Sequence, residues 1–155
     1  MRTTLKQTAT SDTPLSLSGV LSKDVVEVWP EVGPLIARAI AKVNAPYRAF
    51  HVYEWLVSRD SQLWVVYDGD AIIGCVVTRI CQHPARRDLE ITCAAGVAAE
   101  GWVTMSLDTL EDFARANGCS EIGGAGRNGW TRMAEKHGFT KGTVSFRKKV
   151  YSNVK

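Results

Sequence analysis

Three glycines near the end of the chain have the spacing of a phosphate-binding turn. Residues 124–129 read GAGRNG, which matches G-x-G-x-x-G, between a strand-like and a helix-like segment. In dinucleotide-binding proteins such a turn opens a strand-helix-strand unit of about 30 residues, with an acidic residue about 20 positions further on. Too few residues follow Gly129 for that unit, and the only acid among them is Glu135. The glycines therefore form a plain turn, or they let the backbone approach a ligand or a packed helix closely.

Cysteine and histidine side chains could bind a metal, but their spacing argues against a metal site. The cysteines are Cys75, Cys81, Cys93 and Cys119, with no C-x-x-C pair, and His83 is the one histidine that lies close to any of them in sequence. Structural zinc sites typically take their ligands from closely spaced pairs such as C-x-x-C. The cysteines do not suggest a disulfide framework either, so the sequence predicts a protein of a reducing compartment such as the cytoplasm.

The bulk composition suits one globular domain. The chain has 155 residues, 45% of them hydrophobic, and a formal net charge of +3. No apolar run reaches the roughly 18 residues needed to cross a membrane, and the N-terminal segment lacks the apolar core of a signal peptide. The basic, acid-free residues 136–155 suit a solvated edge strand, or a surface for phosphates or an acidic partner. They lack the interleaved aromatic and basic residues of nucleic-acid-binding modules, so such binding is not expected.

Hydrophobic periodicity predicts a polar arm followed by one α/β domain. Residues 1–18 are rich in serine and threonine and predict an arm that is mobile in an isolated monomer, and residues 19–155 form the domain. The predicted helices cover residues 24–44, 48–59, 103–117 and 128–137. The predicted strands cover residues 62–68, 71–82, 89–96, 119–123 and 139–150. The first three strands should form an antiparallel meander, and the order α-α-β-β-β-α-β-α-β indicates a mixed sheet flanked by helices.

The element order between residues 20 and 150 resembles the GNAT acyltransferase fold. The best local match is MAEKHGF, residues 133–139, which is similar to the family's closing motif L-Y-E-K-x-G-F. The segment QLWVVYDGDAIIGCVV, residues 62–77, is similar to the family's second and third strands. The resemblance implies acetyl-CoA bound in a V-shaped gap between two splayed parallel strands, and acetyl transfer to an amine. The GRNGW turn is also similar to that of small GNAT-like proteins encoded in tailed-phage genomes.

The resemblance implies a cofactor site along the third predicted strand, the loop after it and the glycine-rich turn. The residues at these positions are Cys93, Ala94, Gly96, Gly101, Trp102, Arg127 and Asn128. The family's phosphate loop, R/Q-x-x-G-x-G/A, falls on residues 98–103, AAEGWV. Ala98 replaces the Arg or Gln, Glu100 would repel phosphate, and Trp102 is bulky where close approach is needed. The resemblance therefore implies weak or absent acetyl-CoA binding.

The resemblance also implies where the proton transfers would occur. Family members often carry a catalytic carboxylate on the third predicted strand, which makes Glu90 the candidate base. Strand alternation places Glu90 on one face of that strand. The opposite face then carries Leu89, Ile91 and Cys93. Glu90 suits a cross-strand ion pair with Arg79 equally well, and this alternative stays open. Ala134 takes the place of the family's tyrosine acid and cannot donate a proton.

Two functions of different classes follow from these observations. The first is an N-acyltransferase with an atypical acetyl-CoA site, whose acceptor is a small amine or a protein amine. The second is an inactive GNAT-fold structural or binding protein, for example a phage virion component that contacts other virion proteins through residues 1–18. The first would act in the cytoplasm, and the second in a host cytoplasm or a virion. The fold alone does not separate them.

Overall fold

The computed structural model describes residues 15–97, 101–126, 128–143 and 145–150. It contains five strands: β1 Leu15–Val20, β2 Gln62–Asp68, β3 Ala71–Gln82, β4 Arg87–Gly96 and β5 Glu121–Gly124. The α-helices are α1 Val25–Val43, α2 Ala49–Val57, α3 Val103–Ala116 and α4 Asn128–Glu135, with a short 3-10 helix at Ser22–Asp24. None of the helices within the described ranges is long and apolar enough to cross a membrane.

The strands form one mixed sheet in the order β1-β2-β3-β4-β5. Neighbouring strands are antiparallel from β1 to β4, whereas β4 and β5 are parallel. This arrangement confirms the predicted α/β domain with an antiparallel meander and a parallel pair. The parallel pair is possible because α3 carries the chain back across the sheet between the two strands.

The edge strand β1 was not among the predicted elements. Its sequence LSLSGV pairs with β2 along its whole length. Leu15 and Leu17 pack against the core beneath α3, so the leucines alternate with serines as in a half-buried strand. The serine and threonine content concealed this pattern, and residues 15–18 of the predicted arm belong to the sheet. Residues 1–14 lie outside the described residues.

The closing strand predicted over residues 139–150 is not formed among the residues described there. Phe146 and Val150, which gave that segment its apolar alternation, are 91% and 88% exposed. A strand is stable only when a neighbouring strand takes up its backbone hydrogen bonds and its apolar face is buried. The alternation alone therefore overpredicted this element.

Two hydrophobic cores lie on opposite faces of the sheet. One core joins α1 and α2 to alternate residues of the strands, and the other joins α3 and α4 to the residues between them. In β2, for example, Leu63 and Val65 belong to the first core and Trp64 and Val66 to the second. We call these sides of the sheet the α1 face and the α3 face.

Candidate active site

The two parallel strands separate soon after they pair. The pairing runs from Asp88 opposite Glu121 to Ile91 opposite Gly124, where β5 ends, while β4 continues to Gly96. Gly124 is needed at the point of closest approach, because a Cβ there would lie 2.8 Å from the carbonyl oxygen of Ile91. A gap therefore opens in the sheet beyond Ile91, and the glycine-rich turn forms one side of it.

The gap contains a cavity of about 360 Å³. One wall comes from α1 and the loop after it, and the opposite walls come from α3 and α4. The floor is β4, and the turn residues Gly123, Gly124, Ala125 and Gly126 close the remaining side. Because α1 and α3 lie on opposite faces of the sheet, the cavity is bounded by residues from both faces.

A β-bulge in β4 lies at this cavity. Val77 pairs with Cys93 and Thr78 pairs with Ile91, so Thr92 is an extra residue with no partner on β3. The bulge reverses the alternation: Ile91 packs on the α3 face, whereas Cys93 packs on the α1 face. The prediction that Leu89, Ile91 and Cys93 share a face was therefore wrong for Cys93, because a bulge shifts the side-chain period by one residue.

The bulge also leaves polar groups in the cavity wall. Thr92 lines the cavity, and its hydroxyl oxygen is buried without a hydrogen-bond partner in the described structure. A bulged residue has backbone groups that the strand ladder does not use. Such groups are available to a bound molecule.

The beginning of α3 is suited to an anion. The helix has no side-chain hydrogen bond at its N-cap Trp102 and no acidic residue in its first turn. The N–H of Ser106 donates to the carbonyl oxygen of Trp102 at 3.0 Å, which is the first bond of the helix. The preceding N–H groups have no partner within the helix, and together with the helix dipole they attract negative charge.

Trp102 itself is a core residue with 1% exposure. Its indole N–H donates to the carbonyl oxygen of Val97 at 2.9 Å. Its ring lies against Gly74, where a Cβ would be only 2.8 Å from the indole. Gly74 has no side chain and therefore leaves room for the indole ring of Trp102.

Two titratable side chains in the cavity wall keep their protons at neutral pH. Burial raises the pKa of the Cys93 thiol to about 11. Burial also raises the pKa of the Tyr47 hydroxyl, with smaller contributions from Cys93 and then Glu90. Cys93 is consequently a neutral thiol rather than a thiolate nucleophile. Tyr47, in the loop between α1 and α2, is a protonated phenol that can donate a hydrogen bond.

Glu90 lies beside this cavity rather than in its wall. It is exposed on the α1 face, and it forms the predicted cross-strand ion pair with Arg79 at 3.5 Å. Its negative charge contributes to the raised pKa of Tyr47. The ion-pair prediction is thus confirmed, while the role of Glu90 as a base stays a prediction. Among the described residues, no cluster of three or more His, Cys, Asp or Glu could hold a metal ion.

A model of the GNAT acetyltransferase family matches residues 29–139, which is most of the chain. This protein belongs to the GNAT acetyltransferase family. The match confirms the family predicted from the sequence. The matched range contains most of α1, all of α2, α3 and α4, and the splayed strands β4 and β5.

Solved acetyltransferase structures have the same fold at low sequence identity. A ribosomal-protein-alanine N-acetyltransferase from Brucella melitensis biovar Abortus 2308 has a TM-score of 0.68 and 14% identity, covering 89% of this chain and 100% of its own. A predicted acetyltransferase from Clostridium acetobutylicum, solved with acetyl-CoA, has a TM-score of 0.67 and 14% identity, covering 88% and 96%. An aminoglycoside acetyltransferase from an uncultured soil metagenomic sample, solved with sisomicin, has a TM-score of 0.64 and 12% identity, covering 88% and 97%. No curated protein matches the chain.

Several predicted cofactor-binding residues of this GNAT domain meet at the cavity. Its wall includes Cys93, Ala94, Gly96 and Trp102. Gly101 directly precedes Trp102 and is exposed, outside the described wall. Arg127 lies outside the described residues, and α4 begins at Asn128, whose side chain is not described. The binding role of these residues stays a prediction.

Sequence reasoning missed the contribution of α1 and of the loop after it. Leu35, Arg38, Ala39, Lys42 and Tyr47 all line the cavity. The helical spacing of the first four residues was visible in the sequence, but nothing local shows that this stripe faces a gap between β4 and β5. Ala134, at the position of the family's tyrosine, also lines the cavity. The wall is therefore apolar where the family motif would supply a phenol.

Proposed function

We propose that this protein transfers the acetyl group of acetyl-CoA to an amine. The observation that carries the proposal is the parting of β4 and β5 around a cavity bounded by residues from both faces of the sheet. A thioester and an amine can then meet in the gap from opposite sides, which is the geometry that a bimolecular acyl transfer needs. The neighbour solved with acetyl-CoA supports the same donor.

The residues around the cavity fit such a donor. The free N–H groups at the start of α3 suit the phosphates of acetyl-CoA. The glycine-rich wall at residues 123–126 leaves room for the extended chain of the same donor. When bound, acetyl-CoA supplies an activated thioester, so that a C–N bond to the amine forms as the C–S bond breaks. The bulge at Thr92 offers backbone groups that can donate to a carbonyl oxygen.

Two proton transfers must accompany this exchange. We assign removal of the amine proton to Glu90, directly or through a water molecule, because Glu90 lies on the α1 face near Tyr47. Tyr47 is a protonated phenol in the cavity wall and is our candidate for the proton that the departing sulfur takes up. It would replace the tyrosine that is absent at Ala134.

The affinity for acetyl-CoA tests the proposal. We expect calorimetric titration to give a dissociation constant of about 0.1 mM or weaker, because Ala98 and Glu100 depart from the family's phosphate loop. A constant near a micromolar or tighter would show that these departures do not weaken the site. No heat of binding, together with no acetyl transfer to any amine, would contradict the proposed function.

A substitution that fills the gap should remove acetyl-CoA binding. Gly123 lines the cavity, and a Cβ at this position would have no heavy atom within 4 Å. We expect Gly123→Leu to fold normally and to bind acetyl-CoA at least roughly tenfold more weakly, as measured by the same titration. Gly129→Leu is the matched control, because Gly129 also has open space around it but lies outside the cavity wall. Equal affinities for both variants would place the cofactor elsewhere.

A second candidate function is an inactive GNAT-fold structural or binding protein, for example a virion component. The apolar Ala134 in place of a proton-donating tyrosine favours it. This alternative predicts no acetyl transfer under any condition. Transfer that depends on protein concentration and disappears in Gly123→Leu would exclude it.

A further inference from the structure

Two cations on α1 line the cavity without an acidic partner in the part of the chain that the structure describes. Arg38 and Lys42 are four residues apart, so they lie on one side of the helix a single turn apart. Both are exposed and both belong to the cavity wall, on either side of the half-buried Ala39. Their charged groups therefore flank the opening on the α1 face.

Nothing in the described wall neutralises these cations. The described lining residues include no Asp or Glu. Neither Arg38 nor Lys42 forms an ion pair with a residue in the described ranges, whereas Arg79, Arg86 and Arg115 each contact a carboxylate within 3.5 Å. Glu90, the carboxylate near Tyr47, is itself paired with Arg79. Among the described residues, the opening on the α1 face therefore carries an excess of positive charge.

The side of the sheet indicates which substrate meets these charges. The N–H groups that suit the cofactor's phosphates belong to α3, on the opposite face. Arg38 and Lys42 stand with Tyr47 and Glu90 on the α1 face, where the acceptor would enter. Two cations at this position attract an anionic group and repel a polycation.

We propose that the acceptor is a primary amine that also carries an anionic group, a carboxylate or a phosphate, which Arg38 and Lys42 hold while the amine enters the gap. This inference rests on the proposed acetyl transfer and specifies its substrate class. The guanidinium of Arg38 can bind either anion through two parallel hydrogen bonds, and Lys42 adds a point charge. A polycationic acceptor such as the sisomicin bound by one structural neighbour is disfavoured at this opening.

Matched pairs of acceptors test the inference. β-Alanine is compared with β-alaninamide for the carboxylate, and O-phosphoethanolamine with ethanolamine for the phosphate, with sisomicin as the polycation. Rates are compared at equal concentrations of unprotonated amine, because the anionic group also changes the basicity of the amine. We expect kcat/KM to be roughly tenfold higher for at least one anionic member than for its neutral partner, and lowest for sisomicin. The pair with the larger ratio identifies the anion.

Charge reversal assigns the preference to the two cations. In Arg38→Glu and in Lys42→Glu, we expect the anionic acceptor to lose its advantage through a higher KM while the dissociation constant of acetyl-CoA stays unchanged. Lys23→Glu is the matched control, since Lys23 is exposed on the 3-10 helix outside this cavity wall and should leave the preference intact. Weaker acetyl-CoA binding in the α1 variants would instead assign the cations to the cofactor and overturn the inference.

The two proposals fail in different ways. If the acceptors are acetylated but no anionic acceptor reacts faster than its neutral partner, the acceptor inference is overturned and the proposed acetyl transfer stands. If acetyl-CoA does not bind and no acceptor is acetylated, both are overturned.

Discussion

Replacement of Glu90 by glutamine is expected to lower the turnover number roughly a hundredfold or more, as for the loss of a general base. Glutamine has nearly the same shape but cannot accept the amine proton. The fold should be unaffected, because Glu90 is exposed and its ion pair with Arg79 is a surface contact. Initial rates of acetyl transfer and thermal unfolding of the purified variant measure the two effects separately.

Two control substitutions separate the base from the ion pair. Glu121→Gln removes a carboxylate of the same kind, exposed on the adjacent β5 and 3.5 Å from Arg86, but outside the proposed chemistry. Arg79→Gln breaks the pair and keeps the Glu90 carboxylate. Wild-type turnover in a folded Glu90→Gln variant would remove Glu90 from the mechanism. An equal loss in Arg79→Gln would attribute the effect to the pair.

Replacement of Gly96 by alanine is expected to lower the free energy of unfolding by about 3 kcal/mol or more. Gly96 has φ of +144°, which side chains rarely adopt. A Cβ would clash with the carbonyl oxygen of Ile73 and lie 2.5 Å from the Cα of Gly74. These atoms are backbone, and the same Ile73 oxygen accepts a hydrogen bond from the N–H of Val97 at 2.9 Å. No side-chain rotation can relieve the clash.

Urea unfolding of Gly96→Ala against the wild-type protein measures this loss. Gly123→Ala is the matched control in the same sheet, because its new Cβ would meet no heavy atom within 4 Å. We expect the control to unfold at nearly the wild-type urea concentration. A Gly96→Ala variant as stable as the control would mean that the end of β4 relaxes without penalty.

The elements that depend on local patterns were predicted closely from the sequence. β2 and β3 have the predicted bounds. Both the alternation of apolar and polar residues in the strands and the turn between them, with Gly69 at φ +64°, are set by residues close together in the sequence. The third helix ends before Gly118, whose φ of +73° suits a residue without a side chain. The GNAT family followed from the order of such elements together with the match around Phe139.

The candidate site was only partly predictable, because it depends on how segments far apart in the chain pack together. Cys93, Gly96 and Trp102 were placed at the cavity through the family resemblance, and Glu90 was placed on the correct strand. The bulge at Thr92 had no sequence signal, because it arises from the register between β3 and β4.

The sequence by itself determined the helices, most strands and the family, since each is encoded by periodicity or by a short motif. Only the tertiary structure decided that β1 completes the sheet, that residues 139–150 add no strand where described, and that Arg38, Lys42 and Tyr47 border the cavity. Each of these outcomes depends on contacts between segments far apart in the chain. A local pattern specifies which face of an element is apolar, but it does not specify what that face meets.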